Sequence, residues 1–418
     1  MLLKKNYLPF LVLLIGVLYV NPWSRIPIGN TFIVWCIQFF TIGYIIKYIN
    51  KNGGLCPSKT YWLLCVYLLV AVIGIIRGCF VADNYWEYKQ LISGSVSLLL
   101  PLFMYVFVYP HVLSGVLRFW YKWGVLLFFL FFIWVLSRGA YHFYAGPILL
   151  AGCFLSVIKK KKWCCIILFF LFLMMFADFG ARSQVIKAAI CLMMSLAYYF
   201  AKYMTDKVLR IIHWLCYILP IFLLFLGITG KFNIFEDLSK HSGQVVEKKV
   251  VDGSVVEDDL ATDTRTFIYV EVIESALKNN YVWFGRTPAR GNDSVAFGAY
   301  SAEELKTGKY ERHRNEVCHP NVFTWIGLVG MILYCLLYLQ ASWLAVYRSN
   351  NLFVKLMGCY VAFRWAYGWI EDINDFSILS ITLWAMIAMC FSLQFRKMTN
   401  DEMIYWINNL FNFKKNKF

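Results

Sequence analysis

The chain has 418 residues, of which 60% are hydrophobic, 19% aromatic and only 15% charged, against about 25% charged in an ordinary soluble domain. This excludes a water-soluble globule, and twelve crossings at about 20 residues each would take about 240 residues, leaving no room for a large soluble enzyme domain. The net charge of +16 then points to Lys and Arg in cytoplasmic loops and not to a nucleic-acid partner.

Lys4 and Lys5 precede the apolar run 8–20, as in a secretory signal. Asn21-Pro22-Trp23 follows in place of a small-x-small cleavage site, so the run reads as a retained first helix. Further apolar stretches fall at 31–46, 61–76, 91–108, 119–136, 143–158, 163–177, 184–200, 211–228, 321–343, 353–370 and 377–395, making twelve in all. Alternate short connections carry 21 Lys and Arg in one set and 5 in the other, which predicts both termini on the cytoplasmic side.

The expected fold class is therefore an all-α polytopic membrane protein of about 12 transmembrane helices. Residues 1–228 supply helices one to nine, 321–395 supply helices ten to twelve, and 396–418 form a basic cytoplasmic tail. Between them, 229–320 form a large outer loop of about 92 residues, and loops of that length are usually functional or disordered. Its first part, 231–261, looks flexible or hairpin-forming. Thr262 or Asp263 can then cap an amphipathic helix whose Phe267, Val270, Ile273 and Leu277 recur at helical spacing up to Asn279-Asn280. Residues 281–300, with Gly285, Pro288, Gly291 and Gly298, read as loop.

Thirteen cysteines, an odd number with no CxxC pair, lie mostly inside apolar runs, where Cys behaves as a small hydrophobe. Cys79 and Cys318, both near outer helix ends, are the one pair worth considering as a disulfide.

Candidate chemistry gathers on the outer side. Arg182 lies in Asp178-Phe-Gly-Ala-Arg182-Ser183 before the eighth helix, Arg265 in the first turn of the loop helix, and His319 directly before Pro320 at the start of the tenth. Helix N-termini favour anions, and guanidiniums bind phosphate oxygens as a bidentate fork, so the three together suit a diphosphate. Taken singly, each also reads as a headgroup anchor, a solvated charge or an interface residue. Arg286 and Arg290 frame a turn with room for an anionic or sugar ligand. Asn321 stands beside His319, and Trp86 belongs to an outer aromatic segment able to stack on sugars or to sit in an interfacial belt. Arg312, His313 and Arg314 read as a solvated run. Within the membrane, Lys187 and Arg364 are costly, and Arg364 shares a helical face with Glu371, which makes a structural pair the default. No carboxylate cluster suited to a divalent metal, and no other enzyme motif, is present.

The segment from His319 through Pro320, Asn321 and an apolar stretch to Gly327 and Gly330 resembles the start of a late membrane helix in the bacterial O-antigen ligase and O-antigen polymerase superfamily. Gly-Ala-Arg182-Ser-Gln resembles that family's turn between two central helices, Thr-Arg265-Thr-Phe-Ile-Tyr its arginine at the large periplasmic loop, and Asn280-Tyr-Val-Trp-Phe-Gly285 its glycine stretch. Pro320 between His and Asn, and Arg286-Thr-Pro in place of the second glycine, depart from the pattern.

The resemblance implies a GT-C-like, metal-independent glycosyltransferase without a cofactor, in the bacterial inner membrane with its active site on the periplasmic face. Its donor would be an undecaprenyl-diphosphate-linked oligosaccharide, its acceptor a glycolipid, and its partners membrane lipids, a flippase and a chain-length regulator. In that reading Arg182 and Arg265 stabilise the leaving diphosphate, and His319 is either the general base or a phosphate ligand. The expected activity is O-antigen or capsular polysaccharide polymerisation. The alternatives are ligation of the glycan to lipid A-core and, from another class, a twelve-helix transporter or flippase.

Overall fold

A computed structural model describes residues 7–178, 182–228, 246–251, 254–259 and 266–413. The first part runs α1 (Leu8–Tyr19), α2 (Thr31–Lys51), α3 (Lys59–Val81), α4 (Tyr85–Phe107) and α5 (Pro110–Val135). Next come the short α6 (Tyr141–Tyr144) and α7 (Gly146–Gly152), then α8 (Lys161–Phe176), α9 (Arg182–Tyr199) and α10 (Asp206–Ile228). After the loop come α12 (Cys318–Arg348), α13 (Leu352–Tyr367), α14 (Ile378–Phe391) and α15 (Asn400–Leu410). Of these, α2 to α5, α10 and α12 are long and apolar enough to cross a membrane by length and composition. The chain is a mostly helical, membrane-embedded multi-pass protein.

Polar residues placed just before the apolar runs start several helices. Asn30, Asn84, Asn351 and Ser377 each accept a backbone N–H of the first turn, and Thr399 with Glu402 forms a reciprocal capping box at α15. The cap at Asn84 moves the start of α4 to Tyr85, ahead of the apolar run at 91, because Glu87 is buried against Lys309 of the loop. The stretch 143–158 is no single helix. Gly146 lies against the backbone of Ile378 and Leu379, and the segment breaks into α6, α7 and a turn at Leu155–Val157. Irregular backbone at membrane depth is tolerated when protein surrounds it, and α6 and α7 are almost wholly buried.

Within the loop, β1 (Val246–Val251) pairs antiparallel with β2 (Ser254–Asp259), the hairpin the sequence suggests. Helix α11 (Thr266–Lys278) packs Ile268 and Val272 against Val317 and ends at Asn280, whose φ of 54° stops the helix as expected. Its expected caps Thr262 and Asp263 lie outside the described residues, as does Arg265. Two residues each of β3 (Asn292–Asp293) and β4 (Glu311–Arg312) pin the far part of the loop.

The helix connections meet in two groups. At one end, Arg25 N donates to Val135 O, Lys309 binds Glu87, Arg314 binds Asp372, and Ser183 donates to Glu371. This is the loop-bearing end. At the other, Tyr105 donates to Leu55 O, Ser392 to Val108 O, Lys159 N to Asn408 Oδ1, and Lys355 pairs with Asp206. This basic end holds the Lys159–Lys162 run. Between them α14 forms the centre, buried at every residue except Leu379, whereas α3 and α10 present exposed apolar residues such as Phe80, Ile218 and Phe225.

Candidate functional site

The short connection after α13, from Trp369 to Glu371, is where the elements bearing the predicted site residues meet. His319 lies in the first turn of α12, which begins at Cys318, ahead of the start that Pro320 suggested. Its ring is fully buried, 4.4 Å from the Trp369 ring and 5.6 Å from that of Trp365, and Nε2 lies 3.0 Å from Trp365 O. Among the described residues, buried Nδ1 meets no hydrogen-bond partner. The helix terminus beside it is not open to an anion. Cys318 N donates to Gly368 O at 3.0 Å and to Glu371 O at 3.2 Å, and His319 N to Gly368 O. The expectation that this N-terminus offers free donors is corrected: protein carbonyls already take them.

Arg182 opens α9 and is exposed. Its neighbour Ser183 donates to Glu371 Oε1, and one turn on Lys187, fully buried, donates to the same oxygen at 2.5 Å and to Ser183 Oγ at 2.7 Å. Arg364 Nη2 approaches Glu371 Oε2 at 3.7 Å, the pairing expected from helical spacing. Burial works to raise the Glu371 carboxyl, but Lys187 and Arg364 outweigh it and hold it down at about 2.

Arg265 lies outside the described residues. The residue after it, Thr266, and Tyr269 one turn further line an apolar groove of about 700 Å³ with Leu215, Leu219, Phe323 and Trp369. Tyr269 donates to Trp369 O, and its ring stacks on Trp369. The groove therefore passes from the lipid-facing side of α10 to the ring that covers His319.

The other candidates are engaged inside the protein. Arg286 donates to Asp293 at 2.7 Å and to Gly291 O at 2.9 Å, and Arg290 chelates Glu311. These pairs fold the loop, and Glu311, despite burial, is held below its ordinary value by Arg290 and Arg286. Asn321 closes the turn before α12, accepting from Asn315 N at 2.7 Å and donating to Asn315 O at 2.9 Å. Trp86 is half-buried, with Lys89 Nζ 4.8 Å from its ring. The solvated run is corrected at Arg314, which donates to Asp372 at 2.6 Å and to Ser97 at 3.2 Å, and at Arg312, which lies 4.2 Å from the Phe297 ring. Cys79 and Cys318 are both free, and the cysteines brought together are Cys56 and Cys65.

Trp369 and Glu371 are what the sequence reading missed as a hub. The available signal was the pair of intramembrane cations, Lys187 and Arg364, which require a shared anion. Among the described residues, no three of His, Cys, Asp and Glu are grouped as metal ligands. No family model, curated protein or solved structure matches the chain.

Proposed function

We propose that the chain is a twelve-crossing membrane glycosyltransferase that takes a glycan from a polyprenyl-diphosphate lipid on the outer face. It passes that glycan to a second lipid-linked glycan, as a polysaccharide polymerase does. The observation that carries the reading is the apolar groove, because its wall joins Thr266, next to Arg265, to Trp369, which covers His319. A polyprenyl chain in that groove would bring its diphosphate toward the end that holds Arg182 and His319, beside Thr266, which Arg265 precedes in sequence.

The two groups of helix connections support the topology. They agree with alternation of the twelve apolar stretches, provided the broken segment 137–158 counts as one crossing. Ser137 N bonds Trp23 O at the loop-bearing end, and Asn408 bonds Val157 O at the basic end. Basic loops at the second end make it cytoplasmic.

In the proposed reaction the acceptor hydroxyl attacks the anomeric carbon, the sugar–phosphate bond breaks, and the diphosphate leaves with its charge met by the two guanidiniums. His319 takes the hydroxyl proton at Nδ1. The test is glycan transfer by purified protein in vesicles containing the lipid-linked donor. Arg182→Ala, Arg265→Ala and His319→Ala should each lower the rate by 100-fold or more, in the range of a lost oxyanion donor, and Arg265→Lys should rescue poorly. Full activity in Arg265→Ala rejects the diphosphate role.

Deleting the gene separates polymerase from ligase. A single repeat on its normal acceptor means polymerase, and loss of all attached glycan means ligase. A transporter is the second reading, favoured by the break in α12, since discontinuous helices are common in transporters. Movement of the intact lipid-linked glycan across vesicles without transfer would establish it.

A further inference from the structure

Helix α12 is broken at Gly327, whose φ of 71° and ψ of −172° suit glycine and almost no other residue. In an unbroken helix Leu328 N would donate to Thr324 O, and Val329 N to Trp325 O, four residues back. Here the loop segment 282–287 takes all four groups. Leu328 N donates to Val282 O at 2.8 Å and Val329 N to Trp283 O at 3.3 Å, while Arg286 N donates to Thr324 O at 2.7 Å and Thr287 N to Trp325 O at 3.1 Å. The four helix groups that the segment satisfies are thus the same four that would satisfy one another if it left.

We infer that residues 282–287 are a releasable strap, and that α12 has two closed states, one broken and strap-bound, the other continuous and strap-free. In either state these four helix groups are paired, inside a membrane where an orphan is costly, and release shifts the loss of partners to the four backbone groups of the loop segment. Two further observations fit a strap whose middle is held to α12 by its backbone, its buried side chain Thr287 lying at the end. Trp283 and Phe284 are 63% and 65% exposed, so their side chains bury little. Arg77 of α3 reaches across to donate to Phe284 O at 2.8 Å and to Gly285 O at 3.2 Å, latching the strap from outside α12.

The crossing point is tight. A Cβ on Gly327 would lie 2.3 Å from Trp283 O, and one on Gly285 2.5 Å from Gly327 N. The part of α12 above the break, Cys318 to Ile326, carries His319. Release of the strap straightens the helix and re-aims that segment, so the strap sets the relation between the loop and the outer end of α12. This inference does not depend on the transferase reading, and its test does not use transfer activity.

The experiment is amide hydrogen exchange on the full chain in lipid nanodiscs. Gly327→Ala makes the broken state both strained and crowded. It should speed exchange at the Arg286 and Thr287 amides by about tenfold or more, as expected for a local opening, while Leu328 and Val329 stay protected in the restored helix. Parallel loss of protection at Leu328 and Val329 would mean simple unravelling and overturn the two-state inference, as would unchanged exchange at Arg286 and Thr287. Arg77→Gln leaves α12 untouched and covers the case in which the first variant does not fold. It should speed exchange at the same two strap amides by about threefold without affecting Leu328 or Val329, and no change at the strap amides overturns the latch and the release with it.

Discussion

The two ends of the bundle are tied by different chemistry. At the loop-bearing end charges do the joining: Glu371 with Lys187 and Arg364, Asp372 with Arg314, Glu311 with Arg290, and Glu87 with Lys309. At the basic end, beside the half-exposed pair Lys355–Asp206, side chains bonding backbone carbonyls do most of the joining, cations such as Lys160 and Arg118 among them. Asn351 donates to Phe395 O and Met398 O, Asn408 to Val157 O and Gln340 to Thr60 O. A neutral amide loses little when it is buried with its partners satisfied, whereas a buried ion depends wholly on its counter-ion. The loop-bearing end is therefore the end where one substitution does most harm.

The largest expected effect comes from Glu371→Ala, which strands the buried Lys187 and Arg364 without their carboxylate. A loss of about 3–5 kcal/mol, read as a lowered unfolding temperature in detergent, is the expectation, and a loss below about 1 kcal/mol would erase the contrast between the ends. Acid should act on the same seam later than on an ordinary carboxylate. The folded-state pKa of Glu371 is depressed to about 2 from 4.5, so its contribution is present above 4.5 and is lost as pH falls through the folded value. A pH series should find the Glu371-dependent part of stability intact at pH 5 and fading toward pH 2.

Arg290→Ala removes the chelation of Glu311 and should cost about 2 kcal/mol, showing as protease sensitivity of the loop rather than loss of the bundle. At the basic end, Asn351→Ala removes both the cap of α13 and the two carbonyl bonds, and about 1–2 kcal/mol is expected. An effect as large as that of Glu371→Ala would show that neutral seams matter as much as charged ones. Smallest is Lys355→Ala. Its partner Asp206 is 55% exposed, so the change should be about 0.5 kcal/mol or less and should vanish in high salt.

Much of the helix layout was legible because a membrane run is a local property of composition. The boundaries that moved did so for non-local reasons. Helix α4 starts early because Glu87 finds Lys309 more than two hundred residues away, and the stretch 143–158 breaks because Gly146 rests on α14. The site reading divided in the same manner. His319 and Arg182 were legible as helix-start residues, but the meeting of α12, α9 and α11 at Trp369 and Glu371 was not. Arg286 and Arg290 read as framing a ligand turn and Arg314 as solvated, and only their folded neighbours Asp293, Glu311 and Asp372 show them paired inside the protein, whereas Arg182 is exposed.

Composition and periodicity by themselves determined that the chain enters a membrane, roughly where each helix runs, and which end is rich in Lys and Arg, since hydropathy and charge sum over neighbours in sequence. Tertiary structure alone decided which apolar faces meet protein and which face outward, as with α14 and α3, because an all-round apolar helix satisfies either surrounding equally well. It also decided which buried cations share a carboxylate and where α12 gives up its own hydrogen bonds to the loop, because those choices are made by partners far apart in the chain.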